Sequence, residues 1–358
     1  MADRRPLGFQ HRAADATAAA TSEAPASDSG TLDDKAAAAL LPERPARGHK
    51  GTFGKVLVIA GSLDYAGAAL LVCRAAGRAG AGLVTLAVPE SLQPLFAAKV
   101  VEATTMALPE DDVEEADPEP SLARILDHDH DAVVVGPGLR PGLATAELVR
   151  MLVTASDGDS TLPPMVLDAE ALRSMATMGE WWTATTRSCV LTPHPGEFER
   201  LREGSGVEPP TTDDLAGDDA ARRSAAAAAA AAWKQVVVLK GAKTVIAEPD
   251  GTVTTAPFEN PALATGGTGD VLAGIIGALL AQGLAAGPAA RLGVYLHGAA
   301  GELVRERIGD AGLLASDLPE SVPVVRKRLA GLAERQKSSK KVGFAVREAT
   351  AGQAGGGS

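Results

Sequence analysis

Asn260-Pro-Ala-Leu-Ala-Thr-Gly-Gly-Thr-Gly-Asp-Val-Leu-Ala-Gly-Ile-Ile-Gly-Ala-Leu-Leu-Ala281 passes from a glycine-crowded turn into an apolar run of helical length. Gly266, Gly267 and Gly269 carry no side chains, so their backbone N–H groups can converge on one point. The helix that follows turns the positive end of its dipole towards that point. Such a turn suits a phosphoryl group that gains charge in a transition state. Asp270, at the end of the turn, stands where a carboxylate can take a proton from a hydroxyl attacking phosphorus. The plainer reading makes Asp270 a cap for the helix.

Outward from this stretch, apolar runs of strand length alternate with Ala- and Leu-rich helical segments. The pattern predicts strands over residues 55–60, 83–88, 131–135, 165–168, 189–192 and 236–240, with two short strands at 244–247 and 252–256 flanking the turn Glu248-Pro-Asp-Gly251. Helices are expected over 66–79 and 143–153. Continuous apolar strands, each followed by a helix, indicate an α/β fold with a mostly parallel central sheet and helices on both faces. Ligands of such sheets sit beyond the carboxyl ends of the strands. Gly136, Gly138, Asp168, His194, Lys240 and Gly266 all fall at those ends. Residues 1–40, rich in Ala, Asp, Ser, Thr and Pro, read as a disordered arm. Residues 337–358 read as a flexible tail, which leaves 41–336 as the folded domain. The eight alanines from Ala225 to Ala232 read as part of a covering helix.

The chain of 358 residues is 46% hydrophobic and carries a net charge of −11. No basic patch with interleaved aromatics appears, which argues against nucleic acid as a partner. No apolar run approaches the ~20 residues of a membrane span. Cys73 and Cys189 are too few for a disulfide framework and lack metal-ligand spacing. They read as small core residues, one in a helix and one opening a strand, in a reducing compartment. The carboxylate-rich segment 109–120 reads as a solvated loop rather than a metal site.

Four further segments can carry chemistry. Gly48-His-Lys-Gly-Thr-Phe-Gly-Lys55 is either a phosphate-contacting loop or a plain lead-in to the first strand. It lacks Walker A spacing, and no dinucleotide-type glycine fingerprint follows that strand. Gly61 to Ala69 opens the next helix with small residues at Gly67, Ala68 and Ala69, which either let a flat ligand approach the helix start or serve tight helix–strand packing. In Thr192-Pro-His-Pro-Gly-Glu197 two prolines hold His194 in a rigid turn, and Glu197 falls at a helix start or near a metal-bound water. In Lys240-Gly-Ala-Lys-Thr244, Gly241 permits close approach, a lysine can meet phosphate charge and Thr244 can hydrogen-bond.

The motifs HKGTFG, VLVIAGS, GPG, LDAEAL, LTPHPGE, LKGAKT and NPALATGGTGDVLAGII, in this order, resemble those of the ADP- or ATP-dependent NAD(P)H-hydrate dehydratases, members of the ribokinase-like superfamily. The resemblance covers roughly residues 42–335. It implies that Asp270 activates the hydroxyl of a hydrated NAD(P)H. Gly267, Thr268 and Gly269 would form the anion hole. Lys240, Gly241, Ala242, Lys243, Thr244 and Gly269 would hold ADP or ATP. Ala68, Gly138 and His194 would contact the hydrated dinucleotide together with Asp270. It also implies magnesium accompanying the nucleotide, with no ligand assigned to it here, a cytoplasmic location and a homo-oligomer, often a tetramer in the family. Some family members carry an N-terminal epimerase domain. Residues 1–47 are too few for one, so the epimerase is expected to be a separate protein. Phe53 stands where the family pattern leads one to expect tyrosine, Glu170 where it has aspartate, and Asn260-Pro-Ala-Leu263 lacks a glycine often seen there. The rival reading is a small-molecule kinase of the same fold, which would keep the phosphate on its product. A non-catalytic nucleotide sensor is a third reading, disfavoured by Asp270.

Overall fold

The structure, a computed structural model, describes residues 30–353 except for 113, 157–161, 208–214 and 216. The expected arm up to residue 29 lies outside them. Eleven strands occur among the described residues: β1 (Lys55–Ile59), β2 (Leu83–Pro89), β3 (Thr104–Leu108), β4 (Glu110–Asp112), β5 (Glu115–Ala116), β6 (Ala132–Val135), β7 (Met165–Leu167), β8 (Cys189–Leu191), β9 (Val236–Leu239), β10 (Val245–Ala247) and β11 (Val253–Thr255). Nine of them form one sheet in the order β11-β10-β9-β8-β7-β6-β1-β2-β3. Every pairing from β3 across to β9 is parallel, and only β10 and β11 run antiparallel at the edge.

The parallel strands are apolar on both faces because helices cover both. Val56, Val58 and Val134 point to one core, with the helices Ala66–Arg78, Thr268–Ala281 and Ala286–Ile308. Leu57, Ile59, Val133 and Val135 point to the other, with Leu143–Thr154, Glu170–Ala176 and Asp219–Trp233. The helix Thr268–Ala281 is apolar all round because it is buried all round. A Cβ at its Gly274 would come within 2.4 Å of the Val72 carbonyl, so this helix and Ala66–Arg78 pack backbone to backbone. The chain leaves β1 in one direction to β2 and β3, then returns to build β6 to β9 on the other side. That reversal opens a crevice at the carboxyl ends of β1 and β6, where ligands of open α/β sheets bind.

Several expectations differ from the structure. Residues 31–40 are not a loose arm. Asp33 caps the helix Asp34–Ala39, whose Ala37 and Ala38 are buried, and the Tyr295 hydroxyl hydrogen-bonds Asp34. The stretch expected as a tail from residue 337 continues the helix Leu318–Gln353. The segment 109–120 is not simply a loop: it holds the β4–β5 hairpin and the start of the helix Pro118–Asp127. Cys73 and Cys189 are free and buried, in a helix and at the first position of β8, as expected. No helix of the described residues is long and apolar enough to cross a membrane.

Candidate active site

The carboxyl ends of β1, β6, β7, β8 and β9 bring together residues that lie far apart in the chain. Ala68, in the first turn of its helix, touches the Gly-Pro-Gly turn after β6: a Cβ on Gly138 would lie 2.8 Å from the Ala68 Cβ. Gly136 in the same turn lies against the backbone of Asp168, just beyond β7. Asp168 is only 2% exposed and accepts a 2.7 Å hydrogen bond from the Lys240 Nζ, just beyond β9. The same ammonium lies 3.6 Å from Glu197. Burial pulls the Lys240 pKa down, but Asp168 and Glu197 outweigh it and the value ends above the usual lysine range. Lys240 is therefore a fixed cation held between two carboxylates.

His194 has a structural job. Its Nδ1 accepts from the N–H groups of Gly196 (3.1 Å) and Glu197 (3.4 Å) at the start of the helix Pro195–Arg202. The Glu197 carboxylate accepts from the His194 N–H at 2.8 Å, which completes a capping box. The acceptor role at Nδ1 leaves the proton on Nε2. The His194 side chain remains 53% exposed, open to a ligand.

The glycine turn enters from the other side. Gly267 caps the helix Thr268–Ala281 at φ +90°, a conformation that suits glycine, beside Leu71 of the helix Ala66–Arg78. The Thr268 hydroxyl donates to the carbonyls of Leu263 (2.9 Å) and Thr265 (3.0 Å), which ties the turn to itself. His297 donates from Nε2 to the Thr268 carbonyl at 2.9 Å, and burial holds its pKa down at about 4, so the ring is neutral. A Cβ on Gly269 would stand 3.5 Å from the Lys240 Nζ and 3.7 Å from Asp168, which places the turn against that pair. Asp270 follows in the first helical turn. Among the described residues no hydrogen bond or ion pair holds its carboxylate. Burial, and then the nearby Asp168 charge, raise its pKa to about 7, against a smaller opposing pull from Lys240. A carboxylate of that kind is poised as a base near neutral pH.

The Lys240–Thr244 turn joins this cluster through Lys240 alone. Lys243 points elsewhere and pairs with Asp219 (3.1 Å) and Glu259. The Thr244 hydroxyl donates to the Gly241 carbonyl at 2.9 Å. The loop Gly48–Lys55 is not near the site at all. Gly82 donates to the carbonyls of Phe53 and Gly54, and Gly54 abuts Ala281, the last residue of the helix that begins at the glycine turn. Fourteen helical residues span roughly 20 Å, so this loop closes the amino end of β1, and its reading as a phosphate contact is corrected. The Phe53 ring lies under the Arg44 guanidinium at 3.9 Å, so a lost tyrosine hydroxyl at this position takes nothing from the site. A cavity of about 570 Å³ lined by Arg187, Gln235 and Glu248 also lies away from the site, at the amino ends of β8 and β9.

Asp168 and His297 had no assigned role in the reaction from sequence, and Glu197 was expected at a helix start, where it lies, or near a metal-bound water. Asp168 and Glu197 carried a signal, since each follows a strand end; His297 sits inside the long helix Ala286–Ile308 and carried none.

A mostly parallel sheet with a glycine-turn helix and a desolvated aspartate at its carboxyl end defines the ribokinase-like class of α/β protein. A family model described as NAD(P)H-hydrate dehydratase matches residues 56–323. An ADP/ATP-dependent NAD(P)H-hydrate dehydratase of Bacillus subtilis, co-crystallised with ATP and Mg2+, superposes with a TM-score of 0.69 at 35% identity, over 84% of this chain and 98% of that one. An ADP-dependent (S)-NAD(P)H-hydrate dehydratase of Neisseria meningitidis is 37% identical over 78% of this chain and 88% of its own length. A bifunctional NAD(P)H-hydrate repair enzyme of Moorella thermoacetica is 43% identical over 81% of this chain but only 52% of its own length. The chain thus spans about half the length of the bifunctional relatives it matches. It belongs to the NAD(P)H-hydrate dehydratase family.

Proposed function

We propose that this chain dehydrates the S-form of hydrated NADH and NADPH back to the active coenzymes, consuming ADP, or ATP in its place. The observation that carries the reading is the unpaired, desolvated Asp270 carboxylate next to the bare backbone of Gly267–Gly269. Hydroxide is a poor leaving group and phosphate a good one. Asp270 takes the proton of the ring hydroxyl as that oxygen attacks the terminal phosphorus of ADP, and AMP departs. The Gly267, Thr268 and Gly269 N–H groups face the charge that develops on the transferred group. The ring nitrogen then expels phosphate, and loss of a proton from the neighbouring ring carbon restores the double bond. Ala68, Gly138 and the exposed His194 ring line the approach for the hydrated dinucleotide. Lys240, Gly241, Ala242, Thr244 and Gly269 flank the nucleotide, and Lys243 joins them only by exchanging Asp219 and Glu259 for phosphate.

Magnesium fits this arrangement in one way. Among the described residues no three His, Cys, Asp or Glu side chains converge as a metal site, and Lys240 stands between Asp168 and Glu197. The ion would ride on the nucleotide's phosphates, which is how Mg2+ is often held. Bound there, it would offset phosphate charge. The Bacillus relative's crystals with ATP and Mg2+ support that reading. A cytoplasmic location, a homo-oligomeric state and a functional pairing with an epimerase complete the proposal. The bifunctional relatives favour the pairing.

The test is to incubate the protein with hydrated NADH and ADP or ATP while following the absorbance of reduced nicotinamide. Recovery with either nucleotide supports the dehydratase. No recovery with either sinks it and favours a kinase that keeps phosphate on its product.

A further inference from the structure

Beneath the Lys240–Thr244 turn lies a charge that the mechanism above does not use. Arg222, in the helix Asp219–Trp233, is 2% exposed. Its Nη2 donates to the Leu239 carbonyl at 3.0 Å, and its Nη1 donates to the Ala242 carbonyl. Its Nε is buried without a partner. Burial lowers its pKa, and the nearest stabilising carboxylate field comes from Asp219. Asp219, however, accepts a hydrogen bond from the Lys243 Nζ rather than from Arg222. The guanidinium thus sits inside the protein on carbonyl dipoles, with no ion pair among the described residues. Burying such a charge is costly without a matching benefit. The turn is built around it. Gly241 runs at φ +148°, and a Cβ there would stand 2.8 Å from the Arg222 Nη2. Glycine is needed both for the conformation and for the close approach.

We propose that Arg222 is a positioning residue for the nucleotide's phosphates. Its two donors fix the Leu239 carbonyl just before the turn and the Ala242 carbonyl within it, and its buried charge sets a positive potential behind the backbone that a polyphosphate meets. A guanidinium keeps its charge when buried, and its planar fork suits two carbonyls at once. The surrounding alanines, Ala225 and Ala226 among them, are buried and let the helix come close enough for this reach. The inference rests on the reading of Lys240–Thr244 as the nucleotide turn.

The test is calorimetric titration of the full chain with ADP and with adenosine, for the wild type, Arg222→Gln and Arg222→Met, with circular dichroism to confirm folding. Two neutral replacements are used because either alone can fail to fold. The expected result is an ADP affinity about tenfold lower in a folded neutral variant, with adenosine affinity changed less than about twofold. Arg222→Lys, which keeps the charge, should hold the ratio of the two affinities within about threefold of the wild type. A neutral variant that loses both ligands in step, or neither, overturns the proposal and leaves Arg222 as a structural lock. If the wild type itself does not prefer ADP to adenosine, the nucleotide-turn reading fails instead, which separates the two failures.

Discussion

Two glycine-rich turns bracket the helix Thr268–Ala281, and only one has the surroundings of a reaction site. At its carboxyl end, Gly54 is packed so tightly that a Cβ would fall 2.0 Å from the Ala281 carbonyl, and Gly82 would meet the Lys50 carbonyl at 1.7 Å. At its amino end, a Cβ on Gly266 would meet nothing within 4 Å, and one on Gly269 would meet only charged side chains at ordinary contact distance. Glycine in the first turn allows protein to touch protein. In the second, Gly267 still packs against Leu71 and Ala315, but Gly266 and Gly269 leave backbone open beside a lysine and two aspartates. Composition makes the two turns look alike; what each glycine faces tells them apart.

The largest effect should come from the open end. Asp270→Asn is expected to lower turnover about 10³-fold, within the range for losing a positioned base, while nucleotide binding by calorimetry persists. A change below tenfold would remove the distinction between the turns. The packed end should fail through stability. Gly54→Ala imposes a backbone clash at φ +80°, and about 3 kcal/mol should be lost in denaturant unfolding. The folded fraction should keep its KM for both substrates. Gly269→Ala sharpens the contrast in reverse. Its site is helical and uncrowded, so unfolding should shift by less than about 1 kcal/mol, while turnover falls at least tenfold because a methyl group enters the anion hole. If Gly269→Ala unfolded the protein and Gly54→Ala left it intact, the two turns would have been assigned the wrong way round.

The linkage of Asp270 adds a smaller prediction. Its folded pKa is raised, so at pH values between an ordinary aspartate pKa and about 7 the folded state holds a proton that the unfolded state has lost. Stability therefore falls as pH rises through that window. Asp270→Asn removes the titration, so thermal melts of the variant should gain on the wild type between pH 5 and about 8. A wild type whose melting temperature climbs relative to the variant over the same range would contradict the raised value.

Sequence pattern carried the sheet further than the site. Strands β1, β2 and β6 to β9 were legible because a buried parallel strand reads as a run of valine, isoleucine and leucine, whereas β3, which opens on two threonines and is only partly buried, was not expected. The hairpin β4–β5 was hidden by Glu110, Asp111, Asp112 and Glu115, whose charges look like a solvated loop. The helix Asp34–Ala39 was hidden by its alanines, which gain stability from packing on a distant part of the chain rather than from their own pattern. In the site, Asp270 and the glycine turn were visible because they adjoin in sequence. Asp168 and Lys240 were visible singly as strand-end residues, but their joining with Glu197, the His297 brace and Arg222 were not, since each joins residues from separate elements. The Gly48–Lys55 loop misled for the opposite reason: its residue types suit phosphate, but its position before β1 puts it at the wrong end of the strands.

Everything here depends on a carboxylate that burial has made basic at the open turn. The most direct test is the pH dependence of kcat/KM for hydrated NADH with saturating ADP, for the wild type and for Asp168→Asn. Activity should rise with pH through a midpoint near 7 in the wild type, and through a lower midpoint in the variant, which lacks the neighbouring negative charge. A rising limb in the ordinary aspartate range near 4, or a midpoint that Asp168→Asn leaves in place, would contradict it.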